Sequence, residues 1–137
     1  MRRLAPVVLA VGALLGGCAA LPSAKVCPAG QSAGREAQLF FGRNVGDRVG
    51  VSEAEFARFV DDELTPRFPD GLTVLDAAGQ WRGASGVIDR EPSKLVILAL
   101  PGRVGDEAKL DAVRAAYKAR FSQEAVMLAI HPICLGF

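Results

Sequence analysis

From residue 36 onward the apolar positions recur with periods that change along the chain, and each change marks an element. Glu36 to Gly42 holds the run Leu39-Phe40-Phe41 between Gly34 and Gly42, short and glycine-bounded, which predicts a strand. Ser52-Glu53-Ala54-Glu55 has the capping-box spacing, in which the Ser52 hydroxyl accepts the Glu55 amide and the Glu55 side chain returns to the Ser52 amide, so a helix starts there. Phe56, Phe59, Val60 and Leu64 then form one apolar stripe, with Asp61, Asp62 and Glu63 facing water, until Thr65-Pro66 ends the helix. Pro69-Asp70-Gly71 is a turn. Leu72 to Leu75 reads as a strand, Ala78-Gly79 as a turn or bulge, and Gln80-Trp81-Arg82 as the strand's continuation.

Gly83 to Gly86 is a second turn, Val87 to Arg90 pairs back, and Lys94 to Leu100 is the apolar run of an interior strand, ended by Pro101-Gly102. Asp106 is expected to cap a second helix, whose Leu110, Val113, Tyr117 and Phe121 share a face and whose Lys118 and Arg120 complement the dipole at its end. Val126 to His131 is the last strand. The order strand, helix, strand, strand, helix, strand predicts an α+β domain of the ferredoxin-like, split βαβ (βαββαβ) kind. Such a domain is a four-stranded antiparallel sheet with two helices on one face.

Two helices cover one face of such a sheet and leave the other open. In Lys94 to Leu100, Leu95, Ile97 and Ala99 point one way while Val96, Leu98 and Leu100 point the other, and both sets are apolar. Met127 and Ala129, or Val126 and Leu128, add to whichever face is open. The expectation is a cover over Val96, Leu98 and Leu100: a second copy in a homodimer, an envelope protein, or the chain's own tether. The plain alternative is a hydrophobic central strand shielded by its neighbours.

Ahead of the patterned region, Met1-Arg2-Arg3 is a cationic start and Leu4 to Leu15 an apolar run of export-signal length, too short to span a bilayer. It closes on Leu15-Gly16-Gly17-Cys18, which resembles a bacterial lipobox. This predicts a lipoprotein signal peptide over 1–17, lipidation of Cys18, a lipidated tether over 18–35 rich in Ala, Pro, Ser and Gly, and a folded domain over 36–137. Several acyl chains on one cysteine anchor stably, so the membrane is one expected partner. Ala19, rather than Asp, follows the cysteine, which by resemblance to Gram-negative lipoproteins places the anchor in the outer membrane facing the periplasm.

Sixteen lysines and arginines against fifteen aspartates and glutamates give a net charge of +1, which lacks the basic excess of a phosphate-tracking protein, so no nucleic-acid partner is expected. With Cys18 lipidated, Cys27 and Cys134 remain as an even pair in an oxidising compartment. The split βαβ order brings the stretch before the first strand and the stretch after the last to one edge, which permits a disulfide; two separate thiols are the alternative. His131 is the only histidine and no CxxC or HExxH surrounds it, so no metal site and no cofactor are expected. As a lone general base His131 would need an orienting carboxylate, and a packed strand-end residue is the plainer reading.

The densest polar cluster is Asp76, Gln80, Trp81, Arg90, Glu91 and Lys94, which gathers around one aromatic ring if 72–82 pairs with 87–94. It reads either as a small ligand site or as a salt-linked hairpin with Trp81 capping the core. Arg43-Asn44, in the loop after the first strand, reads as an anion-binding loop or as loop structure.

Phe-Phe-Gly-Arg-Asn at 40–44, Arg67 to Asp76, Gly79-Gln80-Trp81 and Arg90 to Lys94, with Tyr117, Arg120-Phe121 and Gln123-Glu124, together resemble a family of short exported bacterial proteins catalogued only as a domain of unknown function. The resemblance covers about 36–137 and implies the fold and the exported location. It assigns no catalytic residue. The sequence therefore favours an envelope lipoprotein whose domain binds a protein or itself. A small-ligand binder or enzyme built on the Trp81 and Arg90 cluster is the alternative, and a purely structural tethered domain a third reading.

Overall fold

The computed structural model describes residues 26–82 and 84–137. The expected signal peptide and Cys18 lie outside the described residues. The elements are β1 (Ser32–Gly42), β2 (Asn44–Val45), β3 (Arg48–Val49), α1 (Glu53–Phe59) continued by a π turn (Val60–Leu64), β4 (Thr73–Arg82), β5 (Ile88–Leu100), α2 (Asp106–Phe121) and β6 (Met127–Leu135). The main sheet runs β4-β5-β1-β6 with every neighbour antiparallel, and β2 and β3 form a separate hairpin. This is the expected ferredoxin-like α+β arrangement.

Alternation along the strands decides the faces. Ala37, Leu39 and Phe41 of β1 and Val96, Leu98 and Leu100 of β5 are buried with Phe56, Phe59, Leu110, Val113 and Tyr117 of the helices. Phe41 is the hub: its ring meets Tyr117 at 4.7 Å, Phe56 at 5.6 Å and Phe59 at 5.9 Å, all edge to face. The expected open face was therefore placed on the wrong side of β5. Val96, Leu98 and Leu100 lie under the helices, and the set left open is Leu95, Ile97 and Ala99. The reason is register, since Phe41 and Leu39 fix the core side of β1, and the pairs Leu39 with Val96 and Ala37 with Leu98 carry that side to the even residues of β5.

Local chemistry explains the elements. Ser52 forms the predicted capping box with Glu55. Past Phe59 the helix widens, the Thr65 amide bonding to Val60 O at 2.9 Å, because Pro66 has no amide to continue the regular ladder and its ring crowds the carbonyl four residues back. Ala78-Gly79 makes neither turn nor bulge: Ala78 pairs with Pro92 and Gly79 with Glu91 in unbroken register. Pro92 is tolerated there because its backbone faces β1 just where β1 has ended, its carbonyl accepting from the Arg43 amide at 3.1 Å. Asp106 is not the cap of α2 but its first residue. Gly105 takes the cap position at φ 91°, and the buried Asp106 carboxylate accepts from the Arg103 amide at 2.9 Å, pinning the loop.

β1 begins at Ser32, inside the stretch read as tether, and β6 extends through Pro132 to Leu135. Cys27 and Cys134 are joined by a disulfide with Cα atoms 5.5 Å apart, tying the lead into β1 to the end of β6. Closing a span of 107 residues removes unfolded-chain entropy worth about 4 to 5 kcal/mol in the simple loop model.

Candidate functional site

On the open face the register aligns one apolar row across all four strands: Leu75, Leu95, Phe40 and Met127. Leu75 and Met127 are 44% and 54% exposed. At the Gly42 end of this row the face deepens into a cavity of about 470 Å³, within the range of small-ligand sites. Phe40, Gly42, Ala77, Gly79, Trp81, Glu91 and Ser93 of the sheet line it. Two walls rise beside them: the β2–β3 hairpin with Asn44 to Asp47, and the segment after α2 with Ser122 to Ala125.

Asn44 fastens these walls together. Its amide donates to Glu91 Oε2 at 3.1 Å, its carbonyl accepts from Gln123 Nε2 at 2.6 Å, and its Nδ2 donates to Arg90 O at 3.4 Å. Among the described residues its Oδ1 is buried without a partner. The Gly46-Asp47 turn closes the hairpin, with Gly46 at φ 61°, a left-handed conformation that suits glycine. Arg43 turns inward instead: its Nε donates to Val51 O at 2.9 Å and its guanidinium pairs with Glu53, so it is loop structure and not an anion site on the surface.

Glu91 forms part of the cavity's floor between two glycines. It pairs with Gly79 on β4, and on the other side its carboxylate lies over Gly42, where a β-carbon would collide with it. Gly79 has an ordinary strand backbone, and a β-carbon there would meet Ser93 and Glu91 only at ordinary contact distance. Trp81, 48% exposed, stands directly opposite Asp89. Direct cross-strand partners have β-carbons within about 5 Å of each other, which makes the two side chains neighbours on the open face, where both line the cavity.

The six residues expected to gather around one ring divide between two places. Gln80, Trp81 and Glu91 line the cavity; Asp76 and Lys94 face the helices, and Arg90 contributes only its carbonyl, to Asn44. Lys94 is buried above the Phe56 ring at 5.9 Å, donates to Glu53 Oε2 at 2.5 Å and pairs with Asp76. Hydrogen bonds from Lys94 hold Glu53 and Asp76 below the usual carboxylate range, and the same bonds, which Asp76 and Glu53 accept, hold Lys94 above its own. This network clamps edge strand β4 to α1. Burial pushes Tyr117 up, its hydroxyl donating to Gly42 O at 2.8 Å behind the cavity floor.

Sequence reasoning missed Phe40, Asp89, Met127, the hairpin and Gln123-Glu124 as lining. Gly46-Asp47 between Val45 and Arg48 was the available signal for the hairpin. His131 sits exposed on edge strand β6 opposite Glu36, away from the cavity lining.

A four-stranded sheet with two helices on one side and a walled cavity on the other defines a small ferredoxin-like α+β domain. The chain belongs to the family described as "Protein of unknown function (DUF3574)", matched over residues 36–137. No curated protein sequence matches it. Among solved structures it is similar to a phage SAM lyase in complex with S-methyl-5'-thioadenosine, with a TM-score of 0.60 and 21% identity over 77% of this chain and 92% of that one. A phage SAM lyase in the apo state gives 0.56 and 20% over 84% and 97%. CutA from Synechococcus elongatus gives 0.50 and 14% over 77% and 83%. At these identities the likeness is one of fold.

Proposed function

We propose that this domain is a small-molecule-binding module, displayed from the cell envelope by a lipid on Cys18. The cavity of about 470 Å³ carries the reading, since it combines a half-exposed tryptophan, a carboxylate floor seated over Gly42, and walls held by a hydrogen-bonded asparagine. Trp81 is the only tryptophan in the chain, so its emission reports on the site directly. Titration with a panel of nucleosides and amines, S-methyl-5'-thioadenosine included because a fold neighbour is described in complex with it, is expected to give a saturable change in Trp81 emission and a rise in Tm. A panel that moves neither removes this reading.

The anchor has its own test: mass spectrometry of the mature protein is expected to find an acylated Cys18 at the amino terminus, and an unmodified start elsewhere refutes it. One further observation favours self-association, the apolar row Leu75, Leu95, Phe40 and Met127 that crosses the open face uncovered. Sedimentation at micromolar concentration separates the two, because a dimer packed through this row also covers the cavity. Leu75→Arg then splits it.

A further inference from the structure

The charge of the cavity narrows what it takes. Four carboxylates line it, Asp47, Asp89, Glu91 and Glu124, and no lysine, arginine or histidine does so among the described residues. Among the described residues none of the four belongs to an ion pair, whereas Glu53, Asp62, Asp70, Asp76 and Asp106 elsewhere are all matched by a basic side chain. A cavity of one sign with low-dielectric walls concentrates the opposite charge and repels its own. The carboxylates are also dispersed. Two come from neighbouring β5 positions on the open face, one from the hairpin and one from the segment after α2, and among the described residues no three acidic, histidine or cysteine side chains converge closely enough to hold a metal ion. Dispersed negative charge beside an exposed indole suits a polyatomic cation, because the ring face itself attracts cations and the carboxylates surround an extended head without a fixed coordination geometry.

We propose, resting on the ligand-binding reading above, that the ligand is a small organic cation with a flat apolar portion: an amine or onium centre held near Glu91 and Asp89, with the flat portion against Trp81 and Phe40. The Glu91 carboxylate is seated over Gly42 and accepts the Asn44 amide, and Gly79 adds no side chain on the β4 side, from which such a centre reaches it.

The test uses the full-length protein in a non-ionic detergent and three probes that share a ring and differ in head charge: 2-phenylethylamine, 2-phenylethanol and phenylacetate, followed by Trp81 emission. The amine is expected to bind at least tenfold more tightly than the alcohol at low ionic strength, with phenylacetate weakest, and added salt is expected to narrow the gap. Glu91→Gln keeps an acceptor for the Asn44 amide and is expected to lower the amine's affinity severalfold and to narrow the gap between amine and alcohol; Tm confirms that this variant is folded. Equal affinities for the three probes, or a preference for phenylacetate, overturn the cation assignment and leave the cavity reading standing. Silence of Trp81 toward these probes and toward S-methyl-5'-thioadenosine overturns both.

Discussion

On one side of β5, Val96, Leu98 and Leu100 are sealed beneath two helices; on the other, Leu95, Ile97 and Ala99 join Phe40, Leu75 and Met127 on a surface that nothing in the chain covers among the described residues. The residue types are nearly the same. What differs is their surroundings, and so their contribution to stability. A buried leucine on the helix side has lost all its water and touches packed neighbours, while one on the open side keeps part of its hydration in the free domain and regains burial only when a ligand or partner arrives. The helix face therefore holds the fold together and the open face is available for binding.

Substituting across this divide gives the largest contrast. Leu98→Arg puts an unpaired charge at a fully buried position and is expected to prevent folding, seen as loss of the cooperative melt, whereas Leu75→Arg on the open face is expected to shift stability by no more than about 0.5 kcal/mol. A finer contrast uses adjacent residues. Phe41→Ala removes the hub of the aromatic cluster and is expected to cost about 3 to 5 kcal/mol by denaturant titration. Phe40→Ala, one residue away on the other face, is expected to cost about 1 to 2 kcal/mol and to weaken cavity binding instead.

A third contrast is in pH. Glu53 and Asp76 are held low in the folded chain, so their contribution is present above the ordinary carboxylate range and is lost as pH falls through the lowered values. Lys94 is held high, so its contribution is full below its ordinary pKa near 10.5 and fades as pH rises beyond it. Tyr117, also held high, adds to alkaline instability from about pH 10 because the unfolded chain loses that proton first. Melting temperature against pH is expected to show a plateau between roughly pH 5 and 10 with both shoulders. A substitution then isolates the ion pairs: Lys94→Met, an apolar chain over Phe56, is expected to keep stability at neutral pH within about 1 kcal/mol while flattening the acid shoulder.

The element order, the Ser52 capping box and the cysteine pair were legible because each depends on local chemistry or on topology alone. The choice of face was not. Alternation in Lys94 to Leu100 offers leucine, isoleucine and valine on both sides, so the period of two carries no contrast between apolar and polar, and only the pairing of Leu39 with Val96 decides it. The polar cluster was drawn too tightly for a related reason. Trp81 and Asp76 sit five residues apart on one strand, an odd spacing that sends them to opposite faces. The cavity walls come from a two-residue hairpin and a segment more than seventy positions downstream, a juxtaposition that no short-range pattern encodes.

The disulfide also determines where the sheet can breathe. β6 is an edge strand zipped to β1 alone, and such a ladder frays inward from its two ends. The bond at Cys134 staples one of them covalently, while the Phe40–Met127 rung at the other is held without a covalent tie, through the buried Val126 whose carbonyl accepts from Arg114 Nε. Amide hydrogens there are expected to exchange sooner than those of Gly34 and Ile133, and each such opening slackens the Met127 side of the cavity. The covalent tie at one pole thus directs thermal motion to the other, where the cavity lies.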